Sequence, residues 1–160
     1  MTLNKDDPFV QVLGKIPSGL FVVTAAHNGQ RAGFLASFIQ QVSFSPLIIA
    51  VACHPARYPY QLMRESHRFG ISLIPDDDKI LMKKFAKGHG PEEDLIMDIE
   101  HEDVEGVPLL KNSLGGAAFE IVEVVQPGDH MVVFGQVLDG KSYQSEKQPW
   151  VHIRKHALTY

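Results

Sequence analysis

Cysteine is almost absent from this sequence: Cys53 is the only one among 160 residues. An intramolecular disulfide and a zinc site built on paired cysteines are therefore excluded. No H-E-x-x-H motif and no cluster of histidines with carboxylates takes their place, so we expect no metal site. Cys53 precedes His54, but neighbouring residues of a strand point to opposite faces, which disfavours a thiol nucleophile activated by that histidine. A buried structural cysteine is the favoured interpretation.

Long apolar runs are also missing. The longest, LIIAVAC, is far shorter than the ~20 residues that a membrane-spanning helix needs. The first residues, MTLNKDDPF, include acids where a secretory signal has a basic start and an apolar run. Clustered basic residues with stacking aromatics, which mark a nucleic-acid surface, do not occur. We therefore expect a cytoplasmic protein with a single domain over residues 1–160, which binds neither nucleic acid nor membrane.

The glycine-rich nucleotide motifs are absent or incomplete. There is no G-x-G-x-x-G, so a Rossmann site has no support. GKIPSG, at residues 14–19, has the glycine spacing of a phosphate loop. Leu20 and Phe21 stand where that loop needs Lys and Ser or Thr, and the preceding residues read as helix instead of strand. A P-loop is rejected on both grounds.

Basic residues are lacking between positions 92 and 105, a segment that holds eight acids. The whole chain has a formal charge of −4, from 15 basic and 19 acidic residues. Without the segment, 15 basic residues face 11 acidic ones (19 less 8), which gives the rest of the chain about +4. We interpret the segment as a solvated, mobile loop.

The apolar pattern predicts short strands joined by tight turns, with few helices. A helix is expected at 8–16, where apolar residues recur at helical spacing, and a short one at 59–67. A third is expected at 76–88, which has acids at its start, lysines at its end and a terminal glycine. Strands are expected at 19–26, 31–38, 69–75, 118–125 and 130–140, with an edge strand at 149–156 and a strand buried on both faces at 47–53. Asn28-Gly29 predicts a two-residue hairpin turn between the first two strands.

These elements do not alternate as βαβ units do. Hairpins near both ends of the chain favour a mainly β fold, an antiparallel sheet closed into a small barrel with two or three peripheral helices. A doubly wound α/β sheet is the weaker alternative.

The stretch LASFIQQVSFSP, residues 35–46, carries the best candidate site. Read as one strand, it places Ser37, Gln41 and Ser43 in one row of short hydrogen-bonding side chains. HPARYPY follows the next strand and offers Arg57 for a phosphate and Tyr58 for packing on a ligand. Apolar walls with a phosphate anchor describe a nucleotide-like cofactor site. A polar sheet surface with a surface arginine is the alternative that these residues leave open.

The order of these segments resembles the flavin reductase-like, FMN-binding split-barrel family. The resemblance rests on GKIPSGLFVVTA, GFLASFIQQVSFSPLIIAVAC, HPARYPYQLMRES, FGISLIP, KKFAKG, PLL and PGDHMVVFGQV, taken in order. It covers about residues 9 to 140, and no single motif decides it. It implies an antiparallel Greek-key split barrel, usually a homodimer with FMN near the subunit interface.

The resemblance also implies roles for individual residues. Leu35, Ala36 and Ser37 would lie against the flavin ring and ribityl chain. Gln41, Val42 and Ser43 would contact the ring edge and the ribityl hydroxyls. The remaining assignments are Arg57 with Tyr58 at the phosphate, Phe85 lining the pocket, and His130 near the nicotinamide and flavin.

The implied activity is an FMN-binding oxidoreductase that takes hydride from NADH or NADPH and passes electrons to free flavin or a partner. The partner could be a redox protein or an oxygenase component, and FAD could replace FMN. The ending PWVHIRKHALTY departs from that of typical reductases and is similar to flavin reductase-like domains of multi-component electron-transfer proteins. Two alternatives therefore stay open: an FMN electron carrier of the flavoredoxin kind, and a non-redox binding module on the same barrel.

Overall fold

A computed structural model describes residues 2–159 and contains three helices and eleven strands in that range. The helices are α1 (Pro8–Gly14), α2 (Tyr58–Ser66) and α3 (Lys79–Ala86). The strands are β1 (Ser18–Gly19), β2 (Phe21–His27), β3 (Gln30–Ala36), β4 (Ile39–Phe44), β5 (Leu47–Cys53), β6 (Arg68–Leu73), β7 (His101–Val104), β8 (Val107–Leu110), β9 (Gly115–Val125), β10 (Met131–Ser142) and β11 (Val151–His152).

Seven of these strands form one sheet in the order β3-β2-β6-β9-β10-β5-β4, and every neighbouring pair is antiparallel. Its two edge strands, β3 and β4, follow each other in the chain with only Ser37 and Phe38 between them. Since two residues span roughly 7 Å at most, the sheet must curl until its edges meet. The mainly β, antiparallel barrel with peripheral helices is confirmed.

The first hairpin forms as the sequence predicts. Asn28 and Gly29 both have positive φ, 48° and 77°, in a turn that pairs His27 with Gln30. Positive φ at both central residues is the requirement of the turn that matches the twist of two antiparallel strands. The β2–β3 hairpin that results brings the end of β3 to the candidate site.

The core has two main parts. One lies between the curled sheet and α2 and includes Phe69, Val23 and Met63, all without exposed surface. The other lies under α3 and is built around Phe85 and Ile96, also fully buried. Each large buried side chain contributes about 1.5–3 kcal/mol relative to an exposed one, so α2 and α3 are held to the sheet mainly by these contacts.

The acidic segment is not the mobile loop that its charge suggests. Ile96 is completely buried beneath α3, and β7, in the second half of the segment, pairs with β8 just beyond its end. Cations from the rest of the chain meet its acids in the pairs Arg31–Asp94 (2.7 Å), Arg68–Glu105 (3.3 Å), Lys111–Glu100 (3.3 Å), Lys141–Glu102 (3.8 Å) and Lys84–Asp98. Exposed pairs of this kind are each worth at most about 1 kcal/mol, so apolar burial holds the segment and charge sets its orientation.

The strand expected at residues 35–46 is two strands. The backbone leaves the sheet at Ser37 and Phe38, and a bulge at Val42 shifts the register between Gln41 and Ser43. A break and an inserted residue both reset the two-residue alternation of side chains. The single polar row proposed for Ser37, Gln41 and Ser43 is therefore wrong as a description of one strand face.

Two apolar segments are less buried than their sequence indicates. In β5 only Val51 and Cys53 are buried, while Leu47 is exposed, so the strand is not covered on both faces. Helix α1 ends at Gly14, and its predicted core face, which includes Phe9 and Val12, is 45–63% exposed. Both segments instead present apolar surface to the outside.

Helix α1 packs through its other side, against the C-terminal segment. Backbone amides of Arg154 and Ala157 donate to the carbonyls of Gly14 and Val10, at 3.1 and 3.0 Å. A Cβ at Gly14 would lie 2.4 Å from the Cα of His156, so only glycine permits this approach. β11 pairs with β1 beside it, which shortens the predicted edge strand to two residues.

Residues 2–159 contain neither a membrane-spanning helix nor a metal-binding cluster. No helix there is long and apolar enough to cross a bilayer. No group of three or more histidine, cysteine or acidic side chains is placed to hold a metal ion.

Candidate functional site

Two adjacent cavities, which share part of their lining, lie at the ends of β3 and β5. The larger, which we call the Arg57 cavity, has a volume of about 550 Å³ and includes the start of α2 and residues 88–90. The smaller, the His130 cavity, has about 180 Å³ and is lined by Leu35, Ala36 and His130. Phe34, His54 and Arg57 line both. We refer to these two adjacent cavities together as the depression, with Arg57 on the wall that they share.

Arg57 is the cation of this depression. It directly precedes α2, and its guanidinium carbon lies 5.3 Å from the centroid of the Phe34 ring, a cation–π distance. It has no carboxylate partner among residues 2–159, although most other arginines there do ion-pair or hydrogen-bond. A held guanidinium without an acid is suited to bind a phosphate through two parallel N–H donors.

Two buried polar atoms on the wall of the Arg57 cavity have no hydrogen-bond partner within residues 2–159. They are the hydroxyl of Tyr58 and Nε2 of His89, which belongs to the loop after α3. Leaving such an atom buried and unpaired costs about 1–3 kcal/mol. Burial, together with the negative charges of Glu65 and Glu92, raises the pKa of Tyr58, so its hydroxyl stays protonated and can donate. Both atoms are positioned to be satisfied by a polar ligand.

His130 forms the other end of the depression. The β9–β10 turn brings its ring into edge contact with His54, centroids 5.9 Å apart, and with Phe38 at 6.1 Å. Its Nδ1 lies 2.8 Å from the Asp129 carboxylate. That hydrogen bond lowers the pKa of Asp129, so the carboxylate stays charged and fixes the orientation of the imidazole. The exposed edge of His130 is left to face a ligand.

A third cavity, the Trp150 cavity, lies beyond Phe38. It has a volume of about 910 Å³ and is mostly apolar, with Trp150 on one wall. The guanidinium carbon of Arg154 is 4.8 Å from the Phe38 ring centroid. The Ser37 hydroxyl lines this cavity and is buried without a partner. Phe38 therefore stands between a histidine on one side and an arginine on the other.

The structure brings together some of the residues singled out from the sequence and separates others. Leu35, Ala36, Arg57, Tyr58 and His130 line the adjacent Arg57 and His130 cavities. Ser37 and Gln41 line the Trp150 cavity. Val42 and Ser43 line none of the three and lie on the edge strand β4.

Phe85 does not line the depression but packs directly beneath it. Its ring is fully buried, and a Cβ at Gly33 would lie 2.9 Å from its Cε1 atom. Gly33 lines the Arg57 cavity. Phe85 is thus a support for the backbone floor of the cavity, which is a different role from the wall residue that the resemblance implies.

Sequence reasoning missed His54, Phe34, His89 and Phe38 as residues of this region. His54 drew notice only as the neighbour of Cys53, whose thiol is buried with its pKa raised to about 12. The signal for His89 was a histidine between two glycines, GHG, immediately after a helix. Such a loop lets the backbone approach a ligand closely, but nothing in the sequence says which cavity it closes.

A family model for the flavin reductase like domain matches residues 13–159. The chain belongs to the flavin reductase-like family. As a flavin reductase-like domain it is 30% identical over 152 residues to diflavin flavoprotein A 1 of Synechocystis, covering 94% of this chain but 26% of that protein. It is 38% identical over 122 residues to an uncharacterized protein of Aeropyrum pernix, of which it covers 46%. The chain thus spans between a quarter and a half of the length of these relatives.

Solved structures share the fold of this flavin reductase-like domain. An NADH:FAD oxidoreductase of Streptomyces globisporus superposes with a TM-score of 0.84 at 20% identity, covering 97% of this chain and 93% of that one. The flavin reductase of styrene monooxygenase from Pseudomonas putida gives 0.78 at 22% identity, with 92% and 93% covered. At these identities the likeness establishes the split barrel, and the chemistry must be inferred from the residues of the site.

Proposed function

We propose that this domain binds FMN in the adjacent Arg57 and His130 cavities and acts as an NAD(P)H-dependent flavin reductase. One observation carries the proposal: the two adjacent cavities share Arg57, a cation without a carboxylate partner among residues 2–159. FMN has the matching shape, a flat ring system at one end and a phosphate at the other. FAD shares the ring and is the alternative ligand.

The residues present fit such a ligand. Arg57 and the Tyr58 hydroxyl would hold the phosphate, and Leu35 and Ala36 would give the ring an apolar wall. Ser37 lines the neighbouring Trp150 cavity, and its unpartnered hydroxyl would bond to a part of the flavin that extends past Ala36 into that cavity. When bound, the flavin supplies the hydride-accepting and electron-donating chemistry, and the protein supplies position and electrostatics.

His130 would position the nicotinamide of NADH or NADPH. Hydride transfer requires the reacting atoms about 3–3.5 Å apart with one face of the flavin open. His130 is half-buried and oriented by Asp129, so its ring can pack against a second planar group without moving. We assign it an orienting role and no proton transfer, because hydride transfer to a flavin needs no side-chain acid or base at this point.

The exposed apolar faces favour a homodimer. Phe44 is 91% exposed and Leu47 41%, both at the β4–β5 hairpin, and the exposed apolar side of α1 adds to them. Large exposed apolar side chains of this kind are typical of surfaces that bind another protein. In a dimer built on this face, Val42 and Ser43 on β4 would lie at the subunit interface and could reach a flavin there. Light scattering on the purified chain tests this, and a monomer at micromolar concentration would refute it.

An electron carrier is the second candidate. The observation in its favour is that the curated relatives named above include a diflavin flavoprotein about four times as long as the matching segment. A domain of this kind could exchange electrons with a separate redox partner or oxygenase component without using NAD(P)H itself. Steady-state oxidation of NADH and NADPH with added FMN separates the two, because a carrier would show almost none.

Ligand binding tests the proposal as a whole. Titrating the purified protein into FMN should quench the flavin fluorescence and shift its visible spectrum. Riboflavin should bind more weakly, because it lacks the phosphate that Arg57 would hold. If neither flavin changes its fluorescence or spectrum, both redox functions fail and a non-redox binding module is left.

A further inference from the structure

The loop that follows α3 contributes a histidine to the wall of the Arg57 cavity. His89 lies between Gly88 and Gly90, and all three line the cavity. Its Nε2 atom is buried without a hydrogen-bond partner. Neither the family resemblance nor the proposed function gives this residue a role.

The protonation of His89 follows from its contacts. The backbone of Lys87 lies beside the imidazole and favours its protonated form, and Nε2 is the ring nitrogen that is buried without a hydrogen-bond partner among residues 2–159. A neutral ring with its proton on Nδ1 offers Nε2 only as an acceptor. A phosphate also offers only acceptors when it is fully ionised. In the other tautomer Nε2 could donate without proton uptake, so the stronger bond, from an imidazolium, is the one that requires the ring to gain a second proton.

The surrounding charges make that gain possible. Burial lowers the pKa of His89 and is opposed by Glu93 and Glu92, whose charges favour the imidazolium. The ionisable or charged groups that face or neighbour the ring are Arg57, Tyr58 and His54 from the cavity walls, with Lys87, Glu92 and Glu93 from its own loop. A dianion placed among them adds negative charge and shifts the balance towards the imidazolium.

We propose that His89 is a second phosphate anchor, which takes up a proton from solvent as the flavin phosphate enters and then donates from Nε2. This inference rests on the proposed function, since it assumes that a flavin phosphate occupies the Arg57 cavity. Arg57 is positively charged at all times, whereas His89 becomes positively charged only when the phosphate is bound. The binding affinity of the site should therefore be highest for a phosphate monoester, which can carry two negative charges near pH 7. Each phosphate of the FAD diphosphate bridge carries one charge, so FMN would be preferred.

The proton uptake has a definite sign. Free His89 is neutral at pH 7.5, because its pKa lies below the ordinary value, and in the complex the imidazolium is favoured. The complex then holds more protons than the free components, so FMN affinity should fall as pH rises through the window between the two values. The phosphate itself acts in the opposite direction near its second pKa of about 6. At pH 7.5 its own contribution is small.

Calorimetry at pH 7.5 in two buffers of different ionisation enthalpy measures the protons taken up on binding. With the wild-type protein, FMN should take up a fraction of a proton and riboflavin none. His89→Gln should abolish the uptake and weaken FMN roughly tenfold, the scale of one charge-assisted hydrogen bond, with riboflavin affinity unchanged. His67→Asn is the matched control: His67 is exposed at the far end of α2, in a left-handed conformation that Asn tolerates.

The outcomes separate the inference from the proposed function. FMN binding with no proton uptake, or with proton release, would overturn the role of His89 while the flavin site stands. Equal uptake by His89→Gln and by wild type would also overturn it. If neither FMN nor riboflavin binds, the proposed function and this inference fall together. The measurement of proton uptake by the wild-type protein tests the inference even if the His89→Gln variant does not fold.

Discussion

Replacing Arg57 with alanine removes the one cation shared by the two adjacent cavities. The guanidinium stacks on Phe34 at 5.3 Å and pairs with no carboxylate in residues 2–159, so no acid is left unpaired when it is lost. The measured effect should therefore be the ligand contact alone. A hydrogen bond to a charged group is worth about 1.5–3 kcal/mol, which corresponds to a loss of FMN affinity of about 10- to 150-fold.

Fluorescence quenching of FMN and riboflavin by wild type and three variants measures this effect. Arg57→Ala should lose FMN affinity and keep riboflavin affinity. Arg57→Lys should fall between, because it keeps the charge and loses the planar fork and the stacking. Arg64→Ala, in the exposed last turn of α2, serves as the control. Equal weakening of both flavins, or unchanged FMN affinity, would show that Arg57 does not anchor the phosphate.

Three further predictions concern the rest of the site. His130→Ala should raise KM for NADH or NADPH more than it weakens FMN binding, and unchanged kinetics would remove His130 from the site. Phe85→Ala should lower the free energy of unfolding by about 3–5 kcal/mol. Phe44→Ala is the control, because that side chain is 91% exposed and its loss should not destabilise the fold. Thermal unfolding compares the two variants, and equal melting temperatures would contradict the support role of Phe85. Burial raises the pKa of Cys53 to about 12, so its thiol stays protonated at pH 7–9. Iodoacetamide should therefore label Cys53 only after denaturation, and rapid labelling of the native protein would show that the thiol is accessible and ionised.

The sheet could be predicted because its signals are local. Asn28-Gly29 requires a turn that antiparallel strands accept, and alternating apolar runs mark the strands on either side. The helices followed from the spacing of apolar residues and from terminal signals such as Asp78, whose side chain accepts a hydrogen bond from the Leu81 amide. The closure of the sheet depends on the two residues that join its edge strands, and here the sequence shows only continuous strand.

The acidic segment shows where local patterns fail. Its charge predicts solvation, but Ile96 within it is buried under α3 and its acids meet cations that are distant in sequence, such as Arg31. The reverse holds for α1, whose apolar face predicts a core contact and lies exposed. In both cases the partner surface is non-local, and periodicity within one element cannot identify it.

The candidate site was predictable by segment and less so by side chain. Leu35, Ala36 and Arg57 lie where the strand ends and the following turn were expected to meet. Ser43 was placed by assuming uninterrupted two-residue alternation, which the bulge at Val42 cancels. His89 could not be found in advance, because only the docking of the loop after α3 brings it to the cavity.

The most direct test is an anaerobic titration of the protein with bound FMN, following the visible flavin absorbance as NADH or NADPH is added. We expect at least one of the two nucleotides to bleach the flavin stoichiometrically, and the absorbance to return when oxygen is admitted. A bound flavin that neither nucleotide reduces, but that dithionite does, would contradict the reductase function and favour the electron carrier.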